Sequence, residues 1–140
     1  MKKLAMLLCA SVLLGWPWQA YASFSGVEEH YAGNIPYVTG GVGFEERTAL
    51  KSVENKYNVK LTFALASGAY VSDVDILIHD AQGNVVLQTQ AQGPFLYTNL
   101  SPGTYTVEAV YNGKIKKSTI EVNGKGQKTV LLHWPQDMTS

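Results

Sequence analysis

The chain of 140 residues has a single cysteine, Cys9, so no disulfide can close within it. Its stability must therefore rest on an apolar core. Arginine is as scarce, Arg47 being the only one. Charge is sparse and balanced, 11 Lys+Arg against 11 Asp+Glu, which argues against nucleic acid, whose phosphates select strongly basic surfaces. Long apolar runs are missing too. The longest, Leu4 to Leu14, spans about 11 residues, whereas a membrane-spanning helix needs roughly 20. His30, His79 and His133 show neither H-x-H nor H-E-x-x-H spacing. With Cys9 alone and inside the apolar run, a zinc site would have to borrow distant carboxylates, so no metal or other cofactor is expected.

What is present begins with Met1-Lys2-Lys3, the apolar run, and Ala20-Tyr21-Ala22 before Ser23. A basic start, an apolar middle and an A-x-A end are the three parts of a secretory signal peptide, residues 1–22, with cleavage expected between Ala22 and Ser23. Cys9 lies inside the run after Leu7-Leu8, not at its end after small residues, so a lipoprotein is not expected. The mature chain would keep nine Lys+Arg and all 11 Asp+Glu, a formal charge of −2, and would contain no cysteine. That length buries one core. Cysteine-free export suits a periplasm, with an extracellular location as the alternative; no membrane span is expected in the mature protein.

Residues 23–43 have no clear period and are broken by Gly33, Pro36, Gly40, Gly41 and Gly43, which reads as an extended or flexible arm. From Phe44 to Tyr57, Leu50, Val53 and Tyr57 recur at helical spacing with charged residues around them, and Glu45 and Glu46 sit at the end a helix dipole favours. This predicts one amphipathic helix over 44–57. After Asn58 the period becomes two. Val59 to Ala66, Val74 to His79, Val85 to Thr89, Phe95 to Tyr97, Thr104 to Tyr111, Lys114 to Val122 and Lys128 to Trp134 read as seven strands. Asn112-Gly113 is a strong two-residue hairpin signal. The prediction is a mainly β, seven-stranded antiparallel sandwich over 58–134, preceded by one helix and followed by a polar tail, 135–140. Whether Phe95 and Tyr97 or Leu96 face the interior is left open by the pattern.

VSDVDILIHDAQGNVV (71–86), a break near Gly93 and NLSPGTYTVEAVYNG (99–113) together resemble the carboxypeptidase regulatory-like domains, which are transthyretin-like β-sandwiches. The matching elements are the D-A-x-G turn from Asp80 and L-x-P-G-x-Y-x-V from Leu100 to Val107. The resemblance implies the fold over about 58–134 and says little of function, since related modules bind sugars, brace enzymes or link domains. The residues add their own account: Pro102 and Gly103 reverse the chain, so that Tyr105 can bury its ring while its hydroxyl finds a backbone partner.

The stretch TGGVGFEER (39–47) has the glycines of a phosphate loop. A Walker loop requires a lysine and a hydroxyl after the last glycine, and a dinucleotide loop a third glycine; here Gly43 leads to Phe44, Glu45 and Glu46. Those carboxylates occupy the place where a phosphate would sit, so the glycines are expected to admit a sharp helix entry or a close approach to the sheet. Glu28-Glu29-His30 could catch a metal only loosely. Asp73 and Asp75 are expected on one strand face, a pair able to serve acid–base chemistry or calcium but lacking further acidic support. No G-x-S-x-G elbow marks a nucleophilic serine. Hydroxyisourate hydrolases share the transthyretin-like fold but end in Tyr-Arg-Gly-Ser, whereas this chain ends Gln136-Asp137-Met138-Thr139-Ser140. Lys114, Lys116, Lys117, Lys125 and Lys128 gather in the last strands, where they protect edges or attract an anionic surface.

The resulting expectation is a non-enzymatic exported binding or interaction module, its partner an envelope protein or a glycan. The candidate surface is Gly40, Gly41, Gly43, Glu45, Glu46, Leu50, Val53 and Tyr57. Exposure of Leu50, Val53 and Tyr57 would favour a protein partner. Coplanar exposed rings, drawn from Tyr57, Tyr70, Tyr97, Tyr105, Tyr111, Phe95 and Trp134, would favour a carbohydrate-binding module. A pocket joining histidine, carboxylate and hydroxyl would favour a small periplasmic enzyme.

Overall fold

In the computed structural model, which describes residues 27–136, every segment of apolar alternation is a strand. The expected signal peptide, the Ala22–Ser23 cleavage point and the end of the polar tail lie outside the described residues. Two strands open the described chain, β1 (His30–Ala32) and β2 (Ile35–Gly40). Helix α1 (Phe44–Val53) follows, then a 3-10 turn (Glu54–Lys56). Seven more strands complete the order: β3 (Val59–Leu65), β4 (Asp75–Asp80), β5 (Val85–Gln90), β6 (Phe95–Thr98), β7 (Gly103–Tyr111), β8 (Lys114–Val122) and β9 (Lys128–Trp134).

They form two sheets, one ordered β1-β2-β6-β3-β9 and the other β5-β4-β7-β8. The facing sides hold Leu61, Phe63, Ile76, Ile78, Leu87, Leu96, Val107 and Trp134, all nearly or fully inaccessible. Burying side chains of this size contributes about 1.5–3 kcal/mol each. The turn chemistry works as read from the sequence. Asn112 and Gly113 both take positive φ, and the Tyr105 hydroxyl donates to Ser101 O at 2.7 Å.

The structure departs from the sequence reading in four places. Among the described residues there are nine strands, not seven, because the segment 23–43 read as an arm contains β1 and β2. Ile35 and Tyr37 pack against the main core while Val38 is buried under α1. A strand covered on both faces loses the polar alternation that announces one. The sandwich is not wholly antiparallel either: β9 runs parallel to β3, from Val59 opposite Lys128 to Leu65 opposite Trp134. The chain leaves β8 in the second sheet and crosses to the first, so β9 arrives beside β3 without a hairpin. The helix stops at Val53 rather than continuing to Tyr57. Finally, Asp73 takes φ 61 and precedes β4, so it does not share a strand face with Asp75.

Candidate binding groove between α1 and the first sheet

The glycine loop sets the position of the helix. Gly40, Gly41 and Gly43 all have positive φ, at 150, 106 and 90°. A Cβ on Gly41 would come within 2.4 Å of the Phe95 ring, and one on Gly93 within 2.3 Å of Gly40 O. Only bare backbone fits there, and this close approach lays α1 against the sheet. Glu46 Oε1 accepts from Gly41 N–H at 2.7 Å and Val42 N–H at 3.1 Å. The loop thus does cradle an anion, but the anion is the chain's own carboxylate. Arg47 closes the loop from the other side, donating through one guanidinium nitrogen to Gly41 O at 3.1 Å. Glu45 is exposed at the helix N-terminus.

Of the predicted surface residues, Leu50 and Tyr57 are 2% and 5% exposed and pack with Val38 and Tyr97, Val53 lying partly buried against them. The sequence leaves open whether this face meets the chain's own sandwich or a partner protein; the helix spends it on its own sheet. The Tyr57 hydroxyl donates to Glu29 Oε2, and Glu29 Oε1 accepts from Tyr31. Burial, and then this carboxylate, raise the Tyr57 pKa.

Because α1 covers only β2 and β6, the outer face of the first sheet is left half open. Phe95 and Tyr97 point to that outer side and Leu96 to the core, which resolves the facing of 94–98. Beside them lie Lys60 and Thr62 of β3, then Thr129 and Leu131 of β9, with Leu131 57% exposed. The step from helix to sheet is a groove of about 380 Å³ lined by Phe44, Arg47, Thr48, Lys51, Glu54, Lys60, Phe95 and Tyr97. Its floor is aromatic. Phe95 meets Tyr97 at 6.2 Å and 50°, and the exposed Tyr70 meets Phe95 edge-on at 5.3 Å and 63°. These rings are inclined, not coplanar.

Cations stand over the rings. The Arg47 guanidinium lies 6.0 Å from the Tyr70 centroid and Lys60 Nζ 5.4 Å from that of Tyr97, geometry in which a ring face attracts positive charge. Lys60 is also paired with Glu54 at 2.9 Å. Burial first, then the charge of Glu54, push the Tyr97 pKa up to about 12. Lys51 is exposed, and no hydrogen bond or ion pair engages its ammonium group among the described residues. In the sequence Arg47 and Lys51 are simply two of the charged residues around the apolar positions of the helix. That β6 turns two aromatics outward beneath them depends on the parity of a four-residue strand.

Other polar clusters lie away from this groove. A smaller cavity of about 180 Å³ is lined by Val27, Glu28, His30, Thr39, Glu46, Leu50 and Gln92. It joins histidine, carboxylate and hydroxyl, and two of its polar groups, Thr39 and Glu46, are committed elsewhere. Thr39 donates to Phe95 O and accepts from Gln92 N–H, while Glu46 holds the glycine loop. His79 meets Glu108 at 3.1 Å on the outer face of the second sheet. Asp80 caps its own turn through Gln82 and Asn84 N–H, which lowers its pKa. Among the described residues no three His, Cys, Asp or Glu gather to hold a metal ion, and no helix is long and apolar enough to cross a membrane.

No protein-family model matches the chain, and no curated protein matches it. Among solved structures the chain is similar to one titled "Crystal Structure of S.CueP", at 15% identity over 91% of this chain and 94% of that one, with a TM-score of 0.41.

Proposed function

We propose that the mature protein is a non-enzymatic, exported binding module of the periplasm, engaging its partner in the groove between α1 and the open half of the first sheet. One observation carries this reading: a groove with an aromatic floor and two cations on its wall, Arg47 and Lys51, that have no carboxylate partner among the described residues. Arginine beside tyrosine and phenylalanine is the composition that concentrates binding energy at interfaces. A carboxypeptidase regulatory-like sandwich is part of the proposal, supported by the Leu100–Val107 turn and the buried Tyr105 ring with its hydroxyl on Ser101 O. A glycan ligand is the second reading, favoured by the exposed rings of Phe44 and Tyr70.

A photo-crosslinking residue at Thr48, on the groove wall, is expected to capture a discrete envelope component in the native host. The same residue at Thr119, on β8 of the other sheet, is expected to capture none. Equal labelling from both positions, or none from Thr48, defeats the proposal.

A further inference from the structure

We infer that the groove accepts an acidic peptide segment carrying an aromatic or branched apolar side chain; this deepens the proposed function and rests on the groove being the binding surface. Charge selects the sign of the ligand. Lys60 is neutralised by Glu54 at 2.9 Å, whereas Arg47 gives one donor to Gly41 O and keeps the rest of its fork, and the Lys51 ammonium is unengaged among the described residues. A guanidinium beside an ammonium on one helix face suits carboxylates spaced along a chain.

The shape of the floor selects peptide over sugar. Saccharides lie flat on aromatic faces, but the floor rings Phe95 and Tyr97 are inclined at 50° to each other, and Tyr70 beside them meets Phe95 at 63°, so that the rings form a notch. A notch of ring edges and faces receives a side chain inserted end-on. Apolar floor and cationic wall together describe a site for acidic and apolar residues in alternation.

The test is an NMR titration of the mature chain with three probes: Ac-Glu-Asp-Phe-Asp-Glu-amide, its neutral counterpart Ac-Gln-Asn-Phe-Asn-Gln-amide, and trigalacturonate. The acidic peptide should shift the Arg47 side chain and the Thr48, Phe95 and Tyr97 amides, binding about fivefold tighter than the neutral one. Added salt should erase that difference. Lys51→Gln, which disturbs no contact in the fold, should weaken the acidic peptide severalfold and leave the neutral one unchanged. Equal binding of both peptides, or no groove shifts with either, overturns the inference. Binding of trigalacturonate alone also overturns it while preserving the groove as the binding surface. Loss of the Thr48 crosslink in the envelope would instead remove the groove itself.

Discussion

Glu46 carries two backbone donors that would otherwise point into an empty loop. The Gly41 and Val42 N–H groups converge on one carboxylate oxygen, and the positive end of α1 favours the charge further. Replacing Glu46 by alanine leaves both donors to water and is expected to cost about 1–2 kcal/mol. Glutamine keeps an oxygen in place but not the charge, so Glu46→Gln should cost roughly half of that. Urea unfolding of the two variants beside the wild type measures both. Equal stability of all three would mean that the loop holds its shape through the glycines and Arg47 alone. The same residue explains why the glycine loop does not serve phosphate, since its cradle is filled from within.

At the scale of elements, α1 is held by a small cluster separate from the main core. Leu50, Tyr57, Val38 and Tyr97 are its buried members. Leu50→Ala should destabilise the protein by about 2–4 kcal/mol. The loss should appear first as faster amide exchange in α1 and β2, while β4 and β7 stay protected until global unfolding. Uniform loss of protection across both sheets would instead mean that helix and sandwich form one cooperative layer. Beneath the helix, the fully buried Thr98 donates its hydroxyl to Pro36 O at 2.8 Å and ties β2 to the sheet. The groove inherits its rigidity from this arrangement: its floor is a strand with core on the other side, and its wall is a helix fixed by glycines.

Across the whole molecule, Trp134 reports on the sandwich. It is 1% exposed, its indole N–H donates to Lys114 O at 3.0 Å, and it is the only tryptophan of the chain from Ser23. Tyr57, Tyr97 and Tyr105 all have raised pKa values, burial being the main cause in each. Below pH about 10, folded and unfolded chains both keep these protons. Above it the unfolded chain releases protons that the folded chain retains, so stability falls as pH rises toward the folded values. Urea midpoints followed by Trp134 fluorescence should therefore stay level from pH 8 to about 10 and drop beyond it. Tyr97→Phe should make the drop shallower. A midpoint independent of pH up to about 11 would contradict the buried state of these hydroxyls.

The sequence by itself determined most of the sandwich. Alternation in β3, β4, β7, β8 and β9, the Asn112-Gly113 hairpin and the Pro102-Gly103 reversal are local effects, and local sterics and burial reproduce them wherever the chain is placed. The amphipathic helix and the self-defeating phosphate loop were legible for the same reason, through spacing and charge. Tertiary structure decided the rest. Whether β2 was an arm or a strand depended on α1 covering its second face, which no pattern within residues 35–40 encodes. The direction of β9 followed from a crossing between sheets. The groove exists because a ten-residue helix covers two of the strands on a five-stranded sheet and leaves the others bare. Arg47, Lys51, Tyr70, Phe95 and Tyr97 are dispersed between positions 47 and 97, and only the packing of helix on sheet brings them to one surface.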